Sequence, residues 1–393
     1  MQLSELSQWI AAQKPMAEDA LKTLVEINTY TTNHDGVDDG MDMLSSLAED
    51  MGFTVETIHA RHRLIKAGNG TGKRVMLITH MDTVHPMDEG FVDYEPLEDG
   101  IVRGPGIGDI KGGTVIGLWA MKAISELCED FDLRMIVSAD EEIGSPTIRE
   151  WYWNRNAHKA DYAIGLEPGF PQGELTADVD LGVVYQRRGF AAVKFKVFGK
   201  TAHSGVSHLG LSAIEAVAHK IVKLQALNDA EKGISVNVGT IKGGTAHNTV
   251  AGQVECMVSF RYETQTDGDA TKAAVIDIIE TPCVHNEGLG ISDRSEYEIT
   301  TFIPPMERTD ESQKLVDIVL EEAKLLGQPV VPIARGGGSD ANHVSGSGTP
   351  AICGMGAPCQ GLHTKDEIIH LPMLFERIGL LTRTLYRVID EQP

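Results

Sequence analysis

Residues 75–82 read VMLITHMD, an apolar run that ends directly on His80 and, two residues further, Asp82. A run this short, bounded by polar turns, has the length of a buried strand rather than a helix. The same arrangement recurs downstream. LRMIVS at 133–138 leads into Asp140, Glu141 and Glu142, DYAIGL at 161–166 leads into Glu167, and PAICGMG at 350–356 is another apolar run. Between the first two lies TVIGLWAMKAISEL at 114–127, apolar on most faces and preceded by Gly112 and Gly113, which predicts a buried helix starting at a tight turn. Helical spacing also marks residues 16–27 and 40–51. Strands alternating with helices predict an α/β domain with a mostly parallel sheet flanked by helices.

The pattern changes near Arg188. AAVKFKVFG at 191–199 alternates with period two, with Val193, Phe195 and Val197 on one face and lysines on the other, as in a half-solvated strand. A helix is predicted at 211–227, followed by ISVNVGTI and VECMVSFRY as strands, a helix at 270–280, and YEITTF as a last strand. The order β-α-β-β-α-β is that of a ferredoxin-like α+β unit. Buried-strand character resumes only near 329–333 and 350–356, so the unit reads as an insertion. The first domain then comprises residues 1–187 and 302–393, and the inserted one residues 188–301.

Composition narrows the partners. A chain of 393 residues is longer than a single core usually supports, in keeping with two domains. The formal net charge of -23 repels nucleic acid backbones and anionic lipid, so neither is an expected partner. The five cysteines form neither a CxxC pair nor a disulfide framework and read as reduced core thiols. The N-terminal stretch lacks the basic start and apolar run of a signal peptide, and no span suits a membrane helix, so a cytoplasmic protein is expected.

Three predicted core strands end on metal-binding side chains, and in open α/β sheets ligands gather outside the carboxyl ends of the strands. A solvated acidic loop explains any one of them alone, but not the repetition. His80 and Asp82 share a face of an extended segment, where the aspartate can accept the second N–H of a metal-bound imidazole. RGPGIGDIKGG at 103–113 presents Asp109 between glycines, and its glycine spacing does not fit a dinucleotide-binding loop. Of the adjacent pair Glu141 and Glu142, one can ligate a metal while the other faces water as a general base. His363 follows the last apolar run in CQGLHTKDE. With Asp109, Glu142 and Glu167 as carboxylate ligands and both histidines neutral, two divalent cations leave a single positive charge for a hydroxide to neutralise. Mixed imidazole and carboxylate ligation suits zinc, with cobalt or manganese as alternatives.

The motifs THMDTV, GPGIGDIKGG, DEEIGS, GLEPG, GKTAHSG, GGTAHNTV, GGGSDAN and GLHTKDE, in order from residue 79 to 367, closely resemble the dinuclear zinc metallohydrolase family of aminoacylase, acetylornithine deacetylase, succinyl-diaminopimelate desuccinylase and glutamate carboxypeptidase. The resemblance implies two zinc ions bridged by Asp109, with His80 and Glu167 completing one site and Glu142 and His363 the other. It makes Glu141 the base and Asp82 the support of His80. It also implies that the inserted unit is a dimerisation (lid) domain, and that His203 reaches the active site of the other subunit in a homodimer to stabilise an oxyanion. Asn248 and Arg261 match positions that hold a substrate carboxylate, and Gly337 and Gly338 belong to a loop that closes over substrate. Arg335 is a further carboxylate clamp candidate. Ala251 stands where the family usually has proline, and Ile110 follows the bridging aspartate where an acidic residue or methionine is common.

VSFRYE, RGGGSDAN and the spacing from Asn248 to Arg261 look most like the glutamate carboxypeptidase branch. The expected activity is amide hydrolysis by a hydroxide held between two zinc ions, releasing a C-terminal amino acid such as glutamate from a small peptide or N-acyl amino acid. A deacylase of the acetylornithine deacetylase or desuccinylase kind is the close alternative. A non-catalytic metal-binding protein is the alternative of another class, and retention of Glu141 argues against it.

Overall fold

In the structure, a computed structural model describing residues 3–390, the run at 75–79 forms the strand Arg74–His80, buried from Val75 to His80. It pairs in parallel with Asp132–Ser138 on one side and with Tyr162–Gly165 on the other. The sheet has six strands. A hairpin, Thr54–Ile58 and His62–Gly68, extends it antiparallel beyond Asp132–Ser138, and Ala351–Ile352 closes the far edge parallel to Tyr162–Gly165. The chain passes from Arg74–His80 to its neighbour on one side, Asp132–Ser138, and then back across to its neighbour on the other, Tyr162–Gly165, so His80 lies at the topological switch point where α/β folds bind ligands.

Helix Gly113–Leu127 is buried along nearly its whole length, which its all-round apolar sequence requires. Its first residue has to be glycine, since a Cβ there would lie 2.1 Å from the Leu166 carbonyl oxygen. The core it joins also takes in Leu21 and Leu24 of helix Leu3–Glu26, Met41 and Leu44 of helix His34–Asp50, and Leu374 and Leu381 of helix Leu371–Asp390.

Two compact units are present: residues up to Gln186 together with those from Arg308 onward, and Arg187–Glu307. In the second unit the strands Gly189–Phe198, Ser235–Gly243, Gln253–Tyr262 and Arg294–Ile303 form one antiparallel sheet. Helices Ala213–Gln225 and Gln265–Glu280 cover it, and Val193, Phe195, Val217 and Val275 fill the core between. The order within this sheet, second strand, third, first, fourth, is the ferredoxin-like one.

Several expectations need correction. The first helix begins at Leu3, not near residue 16, and runs through Pro15. The segment expected as a buried strand at 329–333 is the half-exposed strand Val330–Arg335, placed in a separate three-stranded sheet beside Leu181–Arg187. At 350–356 only Ala351–Ile352 is strand, because the chain turns at Gly354, whose φ of 79° favours glycine. A boundary between 301 and 302 would cut the strand Arg294–Ile303, and the second unit continues to Glu307. All five cysteines are free, and among the described residues no helix is long and apolar enough to cross a membrane.

Buried histidines brace the first unit in their neutral form. His62 Nδ1 accepts the Ala139 amide at 3.0 Å while its Nε2 contacts the Thr147 hydroxyl at 2.8 Å, and His343 Nδ1 accepts Trp153 Nε1–H at 3.2 Å. Burial lowers the pKa of each from 6.5 to about 4. A depressed folded-state pKa means stability that is complete above 6.5 and lost as pH falls toward 4, by up to roughly 3 kcal/mol for a fully buried ring such as His343. The thermal unfolding midpoint of the metal-free protein should therefore drop between about pH 7 and 4. His343→Asn should flatten that slope, and equal slopes in the two proteins would contradict this assignment.

Candidate metal centre

The five expected ligands come together, His80, Glu142 and Glu167 from the carboxyl ends of three adjacent sheet strands and Asp109 and His363 from two separate loops. His80 Nε2 lies 3.2 Å from Asp109 Oδ1 and 3.7 Å from Glu167 Oε1. His363 Nε2 lies 3.2 Å from Asp109 Oδ2 and 3.5 Å from Glu142 Oε2. The five residues thus form two three-residue groups, His80–Asp109–Glu167 and Asp109–Glu142–His363, each with donor atoms within 4.8 Å of one another. Asp109 belongs to both and offers a different oxygen to each.

The loop that presents Asp109 is tightly tied. Gly106 adopts a left-handed φ of 66°, and the Asp109–Ile110 peptide is cis. A Cβ on Gly108 would meet Cys359 Sγ at 2.1 Å. Lys111, 1% exposed, donates to the carbonyl oxygens of Ile27 at 3.0 Å and Pro105 at 3.3 Å, and burial pulls its pKa down to about 7.

Asp82 supports two neighbours at once. His80 Nδ1 contacts the Asp82 main-chain oxygen at 2.9 Å and its carboxylate at 3.4 Å. The same carboxylate accepts the Glu141 amide at 2.9 Å, the Glu142 amide at 3.2 Å and the Thr31 hydroxyl at 2.9 Å. Asp82 therefore fixes the turn carrying the glutamate pair as firmly as it fixes the imidazole. Asp340 performs a related task, accepting the hydroxyls of Ser138, Ser145 and Tyr152 and so joining the SDAN segment to both flanks of that turn.

Electrostatics in this cluster favour positive charge. Burial raises the pKa of Glu142 to about 8, assisted by the charge on Asp109, and burial with Glu167 and Asp340 raises that of Glu141. The hydrogen bond to Asp109 lifts His363 to about 9. For His80, burial opposes protonation, but hydrogen bonds to Asp109 and Asp82 outweigh it and raise the pKa well above 6.5. Burial likewise works against the Asp109 carboxylate, but the two histidines hold its pKa well below the usual range. Glu142 Oε1 is buried with no hydrogen-bond partner among the described residues, as expected for an oxygen that serves a cation. The donor set, two imidazoles and three carboxylates, fits divalent metal ions.

The remaining candidates are not among the five grouped residues. Gly337 and Gly338 follow the strand Val330–Arg335 of the first unit, whose Arg335 guanidinium sits 3.9 Å over the Phe170 ring. His203, Asn248 and Arg261 belong to the second unit. There His203 caps the helical turn Ser204–Leu209, its Nδ1 accepting the Gly205 amide at 3.1 Å, and the Asn248 carbonyl accepts the Ser204 amide at 2.9 Å. Arg261 stacks 4.8 Å over Phe190. Of the supporting residues, Lys111 and Glu367 were not singled out as functional from the sequence, and Asp340 only as a neighbour of the glycine loop expected over the substrate. Their positions inside the quoted motifs were the available signal.

A cluster in which one carboxylate faces two groups of candidate ligands fits a metal-dependent hydrolase. Residues 76–387 match the model for "Peptidase family M20/M25/M40", and the chain belongs to that family. It is therefore a metallohydrolase acting on peptide or amide bonds. The chain is 25% identical over 386 residues to carboxypeptidase G2 of Pseudomonas sp. (strain RS-16), covering 95% of this chain and 89% of that one. With acetylornithine deacetylase of Vibrio campbellii it shares 28% identity over 273 residues, 63% of this chain and 68% of the relative. Among solved structures it is similar to aminopeptidase PepT of Bacillus cereus, with a TM-score of 0.77, 22% identity, and coverage of 95% of this chain and 98% of the other.

If Asp109 serves both ligand groups, Asp109→Asn should weaken binding of every divalent cation the protein takes up. Glu167→Gln and Glu142→Gln should each weaken only one. Metal content after dialysis, measured by elemental analysis, separates these outcomes, and an Asp109 variant that loses no more metal than the single-group variants would contradict the shared role.

Proposed function

We propose that the protein is a dinuclear zinc carboxypeptidase that releases a C-terminal amino acid such as glutamate from a small peptide or N-acyl amino acid. The reading rests above all on the two oxygens of Asp109, each 3.2 Å from a different histidine. When bound at the two groups, divalent cations would polarise the amide carbonyl and make water more acidic. Glu141, held beside the cluster through its amide bond to Asp82, takes the proton of the attacking water and returns it to the leaving amine. The substrate carboxylate is assigned to Asn248 and Arg261, and Arg335, Gly337 and Gly338 are further substrate-binding candidates.

The second unit acts as a dimerisation module in this reading. Its edge strand Ser235–Gly243 is largely exposed, and Ile241, Ile214 and Val222 present apolar surface. Because His203 Nδ1 accepts the Gly205 amide, the ring proton of neutral His203 sits on Nε2, a donor suited to an oxyanion in the other subunit's site. Cytoplasmic residence is part of the same reading, in keeping with the five free thiols of the chain.

The choice of carboxypeptidase over deacylase rests on the long match to carboxypeptidase G2. The match to acetylornithine deacetylase keeps deacylation as the second reading. Assays of the zinc-loaded protein against paired N-acyl glutamates and N-acetylated diamino acids decide between them. Chelation should abolish turnover and zinc should restore it. Glu141→Gln should lower kcat by roughly a hundred- to ten-thousand-fold at unchanged metal content, and a variant as active as wild type would sink the mechanism.

Subunit sharing has its own test. Glu141→Ala and His203→Ala proteins should each be inactive, while a mixture allowed to exchange subunits should recover about a quarter of the wild-type sites. A mixture that stays inactive despite confirmed exchange contradicts the role of His203.

A further inference from the structure

Glu367 lies four residues beyond His363, is 1% exposed, and has no place among the five ligands or the base. Its carboxylate nevertheless faces the loop that carries Asp109. Oε1 accepts the amides of Gly108 at 2.9 Å and Asp109 at 3.0 Å, and Oε2 accepts that of Gly106 at 3.0 Å. His85 Nε2 approaches Oε2 at 3.1 Å and, facing an acceptor, donates its proton. The Glu367 main-chain oxygen accepts a further amide, that of Gly104, at 3.2 Å. One residue therefore collects four of the amides between Gly104 and Asp109. The arrangement is an anion-binding nest filled by a side chain of the same protein.

Both ends of this connection are prepared. The strand Ile368–His370 pairs antiparallel with Ile101–Arg103, so the segments on either side of the nest are already joined. Gly361, with φ of 75°, lets the chain fold back so closely that a Cβ there would lie 2.2 Å from the Asp366 oxygen. The Thr364 hydroxyl closes the same turn onto the Gly361 oxygen at 2.7 Å. His85 is held in its turn, its carbonyl accepting Asn28 Nδ2 at 2.9 Å.

From this geometry we infer that Glu367 is a positioning residue that fixes the Asp109 loop against the His363 loop and so sets the spacing of both ligand groups. The inference rests on the metal-centre reading proposed above. Asp109 and His363 are far apart in sequence and sit on glycine-flanked loops. Without Glu367 the shared carboxylate would be held from the amide side only by turn contacts. A carboxylate is required, because four donors converge on two oxygens and an amide group would present N–H₂ to one pair of them.

The experiment uses the full-length protein freed of metal, with Zn²⁺ and Co²⁺ alone as probes. Affinities are read by competition with a chromophoric chelator, and ligand geometry by the Co²⁺ absorption spectrum. Glu367→Gln should bind both equivalents about 10- to 100-fold more weakly than wild type, with an altered Co²⁺ spectrum and a cooperative unfolding transition in the metal-free state. Glu367→Asp, which keeps the charge but withdraws it by one methylene, should show a smaller loss in the same direction and serves if the glutamine variant does not fold. Metal affinity within twofold of wild type and an unchanged Co²⁺ spectrum in whichever variant folds would overturn the inference while leaving the metal centre standing. Wild-type protein that binds neither ion would remove both.

Discussion

Asp109 sits between His80 and His363, 3.2 Å from each, and the active region is built around keeping it there. Placing Asp109, Glu141, Glu142 and Glu167 beside only two imidazoles concentrates negative charge where burial makes it expensive. The response is visible in the protonation behaviour of the cluster, where both glutamates of the pair and both histidines are pushed toward their protonated forms. Protons and divalent cations compete for such a place. The same charge that strains the bare site is what would hold metal.

A second set of acids, outside the five candidate ligands, accepts hydrogen bonds from the segments that carry the first set. Asp82 accepts the amides of Glu141 and Glu142, Asp340 gathers hydroxyls from Ser138, Ser145 and Tyr152, and Glu367 gathers amides from the Asp109 loop. The turn carrying Glu141 and Glu142 and the loop carrying Asp109 are thereby each held by carboxylates that accept hydrogen bonds. The division has a physical logic, since glycine-rich loops expose amides that need acceptors and a buried carboxylate satisfies several at once. The parallel sheet supplies the rest by delivering His80, Glu142 and Glu167 from the same ends of three adjacent strands.

Much of this was readable in the sequence because strand grammar and ligand chemistry coincided. VMLIT ending on His80, LRMIVS ending on the Asp140–Glu142 acids and DYAIGL ending on Glu167 gave both the sheet and the convergence of its loops. Shorter elements were less legible. The strand Ala351–Ile352 is two residues long, and Val330–Arg335 is half exposed, so an apolar run overstated the first and misplaced the second. The supporting acids were hidden for a different reason. Asp340 and Glu367 act on groups about 200 and 260 residues away, and no local spacing records a contact of that kind.

The most direct test of the account is a crystal structure of protein loaded with zinc or manganese, read by anomalous scattering. Two peaks about 3.5–4 Å apart are expected, one touching His80, Glu167 and an oxygen of Asp109, the other touching Glu142, His363 and the second oxygen of Asp109. A single peak, or two peaks that do not share Asp109, would contradict it.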